Sequence, residues 1–135
     1  MVVDRQGVPL VAALTGANRP DETVFEALVE ALPARKGRRG RPRKRPEKLH
    51  ADKGYDVRRC RRYLHRRGIK VRIARKGVES KARLGRHRWV VERTIAWLHR
   101  FKRLLIRYER LESMHQALLD LGCALICFRF LHRRE

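Results

Sequence analysis

Acidic residues are scarce in this chain. Its 135 residues hold 14 Asp and Glu against 35 Lys and Arg, a net charge of +21 at pH 7. Like charges at that density repel one another in a compact state unless a polyanion neutralises them. Nucleic acid is the polyanion that fits, because each neutralised phosphate releases counterions. Cysteine is scarce too. Cys60, Cys123 and Cys127 are odd in number and include no Cys-x-x-Cys pair, which argues against a disulfide framework or a zinc knuckle. Cys123 and Cys127 lie four apart in an apolar helical run and fit core thiols of a reducing cytosol. Long apolar runs are missing as well. The longest, Leu121 to Phe128, is too short to cross a bilayer and is bracketed by Asp120 and Arg129. Met1-Val2-Val3-Asp4 fits neither a signal peptide nor a lipid anchor. The charge is mostly Arg and is spread along the chain, unlike the lysine-rich amphipathic helix of a membrane-surface protein. These features lead to a cytoplasmic protein without a membrane partner, associated with the nucleoid through DNA.

Local patterning divides the chain into three parts. Residues 1–34 contain early strands and a helix. Val2-Val3, a turn at Asp4-Arg5-Gln6-Gly7 and an apolar run from Val8 to Leu14 predict a β-hairpin. A hairpin alone is marginal and wants more sheet, which suggests a fragment. Asp21 or Thr23 is expected to cap a helix through Leu32, with Val24, Leu28 and Leu32 along one face and Pro33 ending it. Residues 35–46 are a basic linker. Eight of the eleven residues from Arg35 to Arg45 are Arg or Lys, so this stretch is expected to be disordered or solvated.

Residues 47–135 alternate strand and helix. Lys48 to Asp52 predicts a short strand that Lys53-Gly54-Tyr55 turns out of. Asp56 is expected to cap a helix to about Arg67, stopped by Gly68. Ile69, Val71 and Ile73 alternate with Lys70, Arg72 and Ala74 as in a strand. Helices are expected over about 86–104 and about 112–132. The order gives an α/β domain with a mixed sheet flanked by helices and long C-terminal helices.

Asp52 therefore stands at the C-terminal end of a strand beside a glycine turn. Such an aspartate either forms the turn or holds a cation. Glu92 falls on a helical face with Arg88 and His99, four and seven residues away, beside a stripe of Val91, Ile95 and Leu98. It is either the partner of a helical ion pair with Arg88 or a metal ligand among basic residues. Two carboxylates converging on a hard cation, Mg²⁺ or Mn²⁺, in a basic protein would suit phosphodiester chemistry. Trp89 and Trp97 share helical register and suit packing. Leu118, Leu121, Leu125 and Phe128 form an apolar helical face, either core or a bare interface.

Ala51-Asp52-Lys53-Gly54-Tyr55-Asp56, Arg88-Trp89-Val90-Val91-Glu92-Arg93 and Arg107-Tyr108-Glu109 resemble motifs of the DDE transposases of bacterial insertion sequences. Gly7-Val8-Pro9-Leu10 and Leu14-Thr15-Gly16-Ala17-Asn18 resemble that family's early strands. The resemblance implies a ribonuclease-H-like fold, here incomplete, that carries three acids. Asp52 matches the second and Glu92 the third. Gly85 and His99 stand where the family often has Tyr and Lys around the third acid. The first acid is placed upstream of Met1, and Asp4 matches a turn instead. The resemblance thus implies part of a transposase for Mg²⁺-dependent (or Mn²⁺-dependent) DNA cleavage and strand transfer, inactive by itself. Its partners would be double-stranded DNA at transposon ends and target, with self-association or an upstream frame product. Arg88, His99 and Lys102 would contact phosphates, and Lys53, Lys76 and residues 35–45 would hold flanking DNA.

Within that linker Arg39-Gly40-Arg41-Pro42 followed by Arg43-Lys44-Arg45 resembles an AT-hook, an extended segment lying in a narrow minor groove. A solvated loop contacting phosphates without sequence preference is the alternative. Two other readings stand beside the enzyme fragment. One is a non-enzymatic DNA-binding protein using this linker, and the other is a gene remnant that does not fold.

Overall fold

The structure, a computed structural model, describes residues 1–16, 18–35, 42–77 and 81–132, without the side chains of Asp21 and of residues 81–88. It divides into two compact units, Thr15–Arg88 and Met1–Leu14 with Trp89–Glu135.

In the unit of residues 15–88, a turn of 3-10 helix at Asp21–Val24 leads into α1 (Phe25–Glu30). Neither element has a side-chain cap. Thr23 instead donates its hydroxyl back to Pro20 O at 2.8 Å, so the expected cap at Asp21 or Thr23 is corrected. A β-α-β unit follows: β3 (Lys48–Ala51), α2 (Arg58–Arg66) and β4 (Lys70–Ile73). The strands pair in parallel, Leu49 opposite Val71 and Ala51 opposite Ile73. Parallel neighbours need a crossover, and α2 supplies it while packing on β4 and α1. The expected alternation holds in part: Ile69 and Ile73 are buried while Lys70 and Arg72 are exposed, but Val71 is only half-buried and Ala74 is buried. Leu64 and Cys60 are fully enclosed, and Phe25, Leu28, Val29, Leu32 and Leu49 are also buried.

Gly68 stops α2 as its sequence position predicts. Its φ of +65° is open to glycine at little cost. The amides of Gly68 and Ile69 return to the carbonyls of His65 and Leu64, both at 2.9 Å, which closes the helix in a Schellman motif. Asp56 does not cap α2, whose N-cap is Val57 without a side-chain bond. Its carboxylate instead accepts from Arg61 Nε at 2.7 Å and from the Lys76 amide at 2.8 Å. The guanidinium of Arg61 also donates to Ile73 O. Asp56 thus ties the start of α2 to the turn after β4. The Lys76 amide and the Arg61 guanidinium hold its carboxyl below the ordinary value of 3.8. A carboxyl with a depressed folded pKa stabilises above its unfolded pKa and loses that effect as pH falls through the folded one. Asp56→Asn is therefore expected to lower the urea midpoint at pH 7. The gap to the parent should narrow below about pH 4, and a gap constant from pH 7 to pH 3 contradicts this role.

In the other unit, β1 (Val2–Val3) and β2 (Pro9–Val11) form the expected antiparallel hairpin. The Asp4 carboxylate accepts from the amides of Gln6 and Val8, each at 2.8 Å, and so shapes the turn. Gly7 has φ +86°, and a Cβ there would stand 3.0 Å from Arg93 Nη2 and Thr94 Oγ1. Both φ and the close helix therefore call for glycine. The helix α3 (Lys81–Leu98) ends before a turn at residues 99–101, and α4 (Lys102–Leu105) and α5 (Glu112–His132) follow. The expected single helix over 86–104 is thus broken, which leaves His99 in the turn.

The sheets correct another expectation. Among the described residues there are two separate pairs of strands, one antiparallel and one parallel, and no single mixed sheet. The α/β character stands.

Candidate active site and nucleic-acid interface

Asp52 follows β3 directly and is exposed. Its carboxylate accepts from the Lys53 amide at 2.7 Å and caps the 3-10 turn Lys53–Tyr55. The turn reading and the strand-end placement are therefore both met. Tyr55 packs its ring 5.4 Å from that of Phe25, which anchors the turn to the core of the unit. Glu92 is exposed on α3, with Leu98 buried one and a half turns further on. Asp52 and Glu92 belong to different units. Both offer hard, solvent-accessible oxygens, the donor type that suits Mg²⁺ or Mn²⁺. Among the described residues no group of three His, Cys, Asp or Glu side chains gathers to hold a metal.

The residues beside Glu92 carry a function that sequence patterning missed. Thr94 is fully buried and donates its hydroxyl to Gly7 O at 2.7 Å. Arg93 donates to Gln6 O and lies between two indoles, 4.4 Å from the Trp89 ring centre and 4.8 Å from that of Trp97. Trp97 in turn meets the Phe130 ring at 5.7 Å. Together these contacts lock the hairpin turn onto the helix that presents Glu92. The tryptophans are thus packing residues that clamp an arginine, although Trp89 keeps one face in solvent.

His99 and Lys102 are exposed at the break between α3 and α4. Lys76 is exposed in the turn after β4, and Lys53 is half-buried beside Asp52. Arg43, Lys44 and Arg45 are exposed. Arg39 and Arg41 lie outside the described residues, as does the Arg88 side chain. The linker is not wholly unstructured: Arg35 and Arg43 exchange two backbone hydrogen bonds of 2.9 and 3.0 Å that bring its ends together.

A profile of the family described as Transposase DDE domain matches residues 1–127. This chain belongs to the transposase DDE domain family. It is 50% identical, over all 135 residues, to a Burkholderia cepacia protein named as a transposase for insertion sequence element IS402. The chain spans 64% of that relative's length. No solved structure matches it.

Within the Arg107-Tyr108-Glu109 motif, Glu109 has a structural role. The Glu109 side chain is 8% exposed and meets Arg103 Nη1 at 2.9 Å and His115 Nδ1 at 3.5 Å. Burial pushes its carboxyl up, but its own amide, Arg103 and His115 outweigh that and hold it below the ordinary range. It clamps the loop between α4 and α5. Cys60 is a core residue, whereas Cys123 and Cys127 are only half-buried, which corrects their reading as core thiols; burial raises all three thiols.

A basic surface feature on α2 was not singled out from the sequence. Arg58, Arg59, Arg62 and Arg66 line an open cleft of about 380 Å³ with Glu26 and Tyr63. Glu26 pairs with Arg59 at 2.6 Å. The helical spacing of Arg58, Arg62 and Arg66 was the available signal. It sets them about 6 Å apart along the axis, close to twice the 3.4 Å rise per phosphate of one DNA strand.

Proposed function

We propose that this chain provides the second and third acids of an insertion-sequence transposase that cleaves DNA at element ends and joins the 3′ end to target DNA. Asp52 and Glu92 are its metal-binding catalytic carboxylates on a ribonuclease-H-like fold. The observation that carries this reading is family membership across residues 1–127 together with the local placement of Asp52 at a strand end and Glu92 on a helix.

When bound, Mg²⁺ or Mn²⁺ supplies Lewis acidity and a template for in-line displacement. Asp52 would hold it from the end of β3, kept in place by the Lys53 amide. Glu92 would hold it from α3, kept in place by the Thr94 and Arg93 anchors. Arg88, His99 and Lys102 would neutralise phosphates near the scissile bond. Lys53, Lys76 and Arg39, Arg41, Arg43, Lys44 and Arg45 of the linker would hold the flanking duplex. Asp4 is spent on the hairpin turn and is not the first acid in this reading. Cleavage of end DNA by the transposase expressed from its native element, stopped by chelation while DNA binding persists, tests the assignment. Cleavage that continues in the chelator refutes it.

The α2 cleft supports a binding role that needs no catalysis. Its arginines would contact backbone phosphates, which position the duplex without reading sequence. Replacing Arg58, Arg62 and Arg66 together by Gln is expected to reduce the slope of log affinity against log salt by about 2.7, at about 0.9 per phosphate contact. An unchanged slope, measured by fluorescence anisotropy on a duplex, removes α2 from the interface. If deleting residues 35–45 abolishes binding while the α2 variant is normal, the AT-hook-like linker alone carries the affinity.

A further inference from the structure

The Arg107-Tyr108-Glu109 motif turns one member inward and two outward. Glu109 is the inward one, and its carboxylate accepts from the Tyr108 amide as well as from its own and from Arg103 Nη1. Arg107 Nε donates to the Glu109 carbonyl at 3.0 Å. The chain enters the loop from Ile106 in extended backbone, with φ −121° and ψ 119°. The loop between α4 and α5 is thus held through main chain and side chain together. Tyr108 is fixed at its backbone by the buried carboxylate of its neighbour.

The chain's three tyrosines are placed differently. Tyr55 packs on Phe25, and Tyr63 is buried with its hydroxyl donating to Glu30. Tyr108 is 57% exposed and makes no such contact among the described residues. Cations surround it in sequence. Five of the eleven residues from Arg100 to Arg110 are Lys or Arg, and all five are exposed. The one acid of that stretch is Glu109, already turned inward and paired. An exposed ring among cations is the pairing found where single strands bind: bases stack on the ring and cations follow the backbone. A fully paired duplex offers phosphates to the cations but keeps its bases inside. The local excess of positive charge favours a polyanion over an apolar protein surface.

We propose that Tyr108 is a stacking platform for an unpaired nucleobase, with Arg107 and Arg110 holding the adjoining phosphates. The proposal rests on the reading of this chain as a DNA-binding transposase. It adds a ligand, single-stranded nucleotides, that neither the α2 arginines nor the basic linker selects. Strand cleavage leaves terminal bases that have lost a stacking neighbour, and the fixed ring replaces that neighbour. A rigid ring with two torsions gives up little conformational freedom when a base settles on it. The exposed Ile106 and Leu111 beside it extend the apolar surface. Neither Asp52 nor Glu92 takes part.

Fluorescence anisotropy of the full chain with labelled oligothymidine and with a fully paired duplex tests it. Tyr108→Ala is expected to weaken oligothymidine binding by about five- to a hundredfold, the loss of one base–aromatic stack, and duplex binding by less than about twofold. Its slope of log affinity against log salt should match the parent's, because the ring carries no charge. Arg110→Gln should instead lower that slope by about 0.7 on the single strand. Tyr108→Phe keeps the ring and should bind as the parent does. Tyr108→Leu keeps apolar bulk without a π face and should fail as the Ala variant does. All should retain the parent's helical circular dichroism, since the side chains are exposed. Parent-level oligothymidine affinity in Tyr108→Ala overturns the proposal, and lost transposition from the native element in that same variant then assigns the loop to a protein partner. An equal loss on both probes overturns it too, because the contact is then common to all DNA. Full affinity in Tyr108→Leu replaces stacking by a plain apolar contact. A parent chain that binds neither probe overturns the DNA-binding reading itself, and this proposal with it.

Discussion

Asp52→Asn or Glu92→Gln is expected to reduce strand cleavage and transposition from the native element by about a thousandfold or more. Each substitution keeps the side-chain volume and removes one anionic donor. Metal-assisted stabilisation of developing charge is worth several kcal/mol, and each 1.36 kcal/mol is about a decade in rate. The local structure should survive. Asp52 and Glu92 are both exposed, and the oxygen of Asn can still accept the 2.7 Å bond from the Lys53 amide that Asp52 receives. DNA affinity should not fall, because removing an acid from a chain of net charge +21 only raises its attraction for phosphate. The informative experiment therefore scores cleavage and binding on the same preparation. Lost cleavage with retained binding supports two ligand carboxylates. Parent-level cleavage in either variant shows that the acid is a turn former or an ion-pair partner only.

The largest expected effect on stability comes from the other end of the same unit. Leu64 on α2 is fully enclosed, in the unit whose parallel strands present Asp52. Leu64→Ala removes buried methyl groups and leaves a cavity, at a cost of about 2–5 kcal/mol. Small domains hold only about 5–15 kcal/mol in total, so this one change consumes a large share. The native chain also carries the self-repulsion of its net charge. Urea unfolding followed by circular dichroism should show a strongly lowered midpoint. Duplex DNA, the proposed partner of the folded state, should recover part of the loss by mass action. A midpoint within experimental error of the parent would mean that the core around Leu64 is not formed in solution.

Chain composition by itself pointed to a polyanion partner, and local pattern determined the α/β class, the strand and glycine turn that present Asp52, and the end of α2 at Gly68. They did so because each depends on a charge balance, a period of two or a single backbone angle, all properties of neighbouring residues. The motifs around Asp52 and Glu92 also pointed to the transposase family. The positions where expectation failed are of a different kind. Asp56 looked like a helix cap because Asp caps helices locally, but Arg61 and the distant Lys76 amide claim its carboxylate. Thr94 and Arg93 looked like ordinary helix residues until the carbonyls of Gly7 and Gln6, 87 residues away in each case, were found to be their partners. Helical periodicity drew α3 through His99, whereas the chain turns at residues 99–101 before α4 packs against α5. The apolar face of α5 was visible in the residues, but only tertiary structure decided that Leu121, Leu125 and Phe128 stay exposed on it. Side-chain burial depends on what arrives from elsewhere in the chain, and no local pattern contains that information.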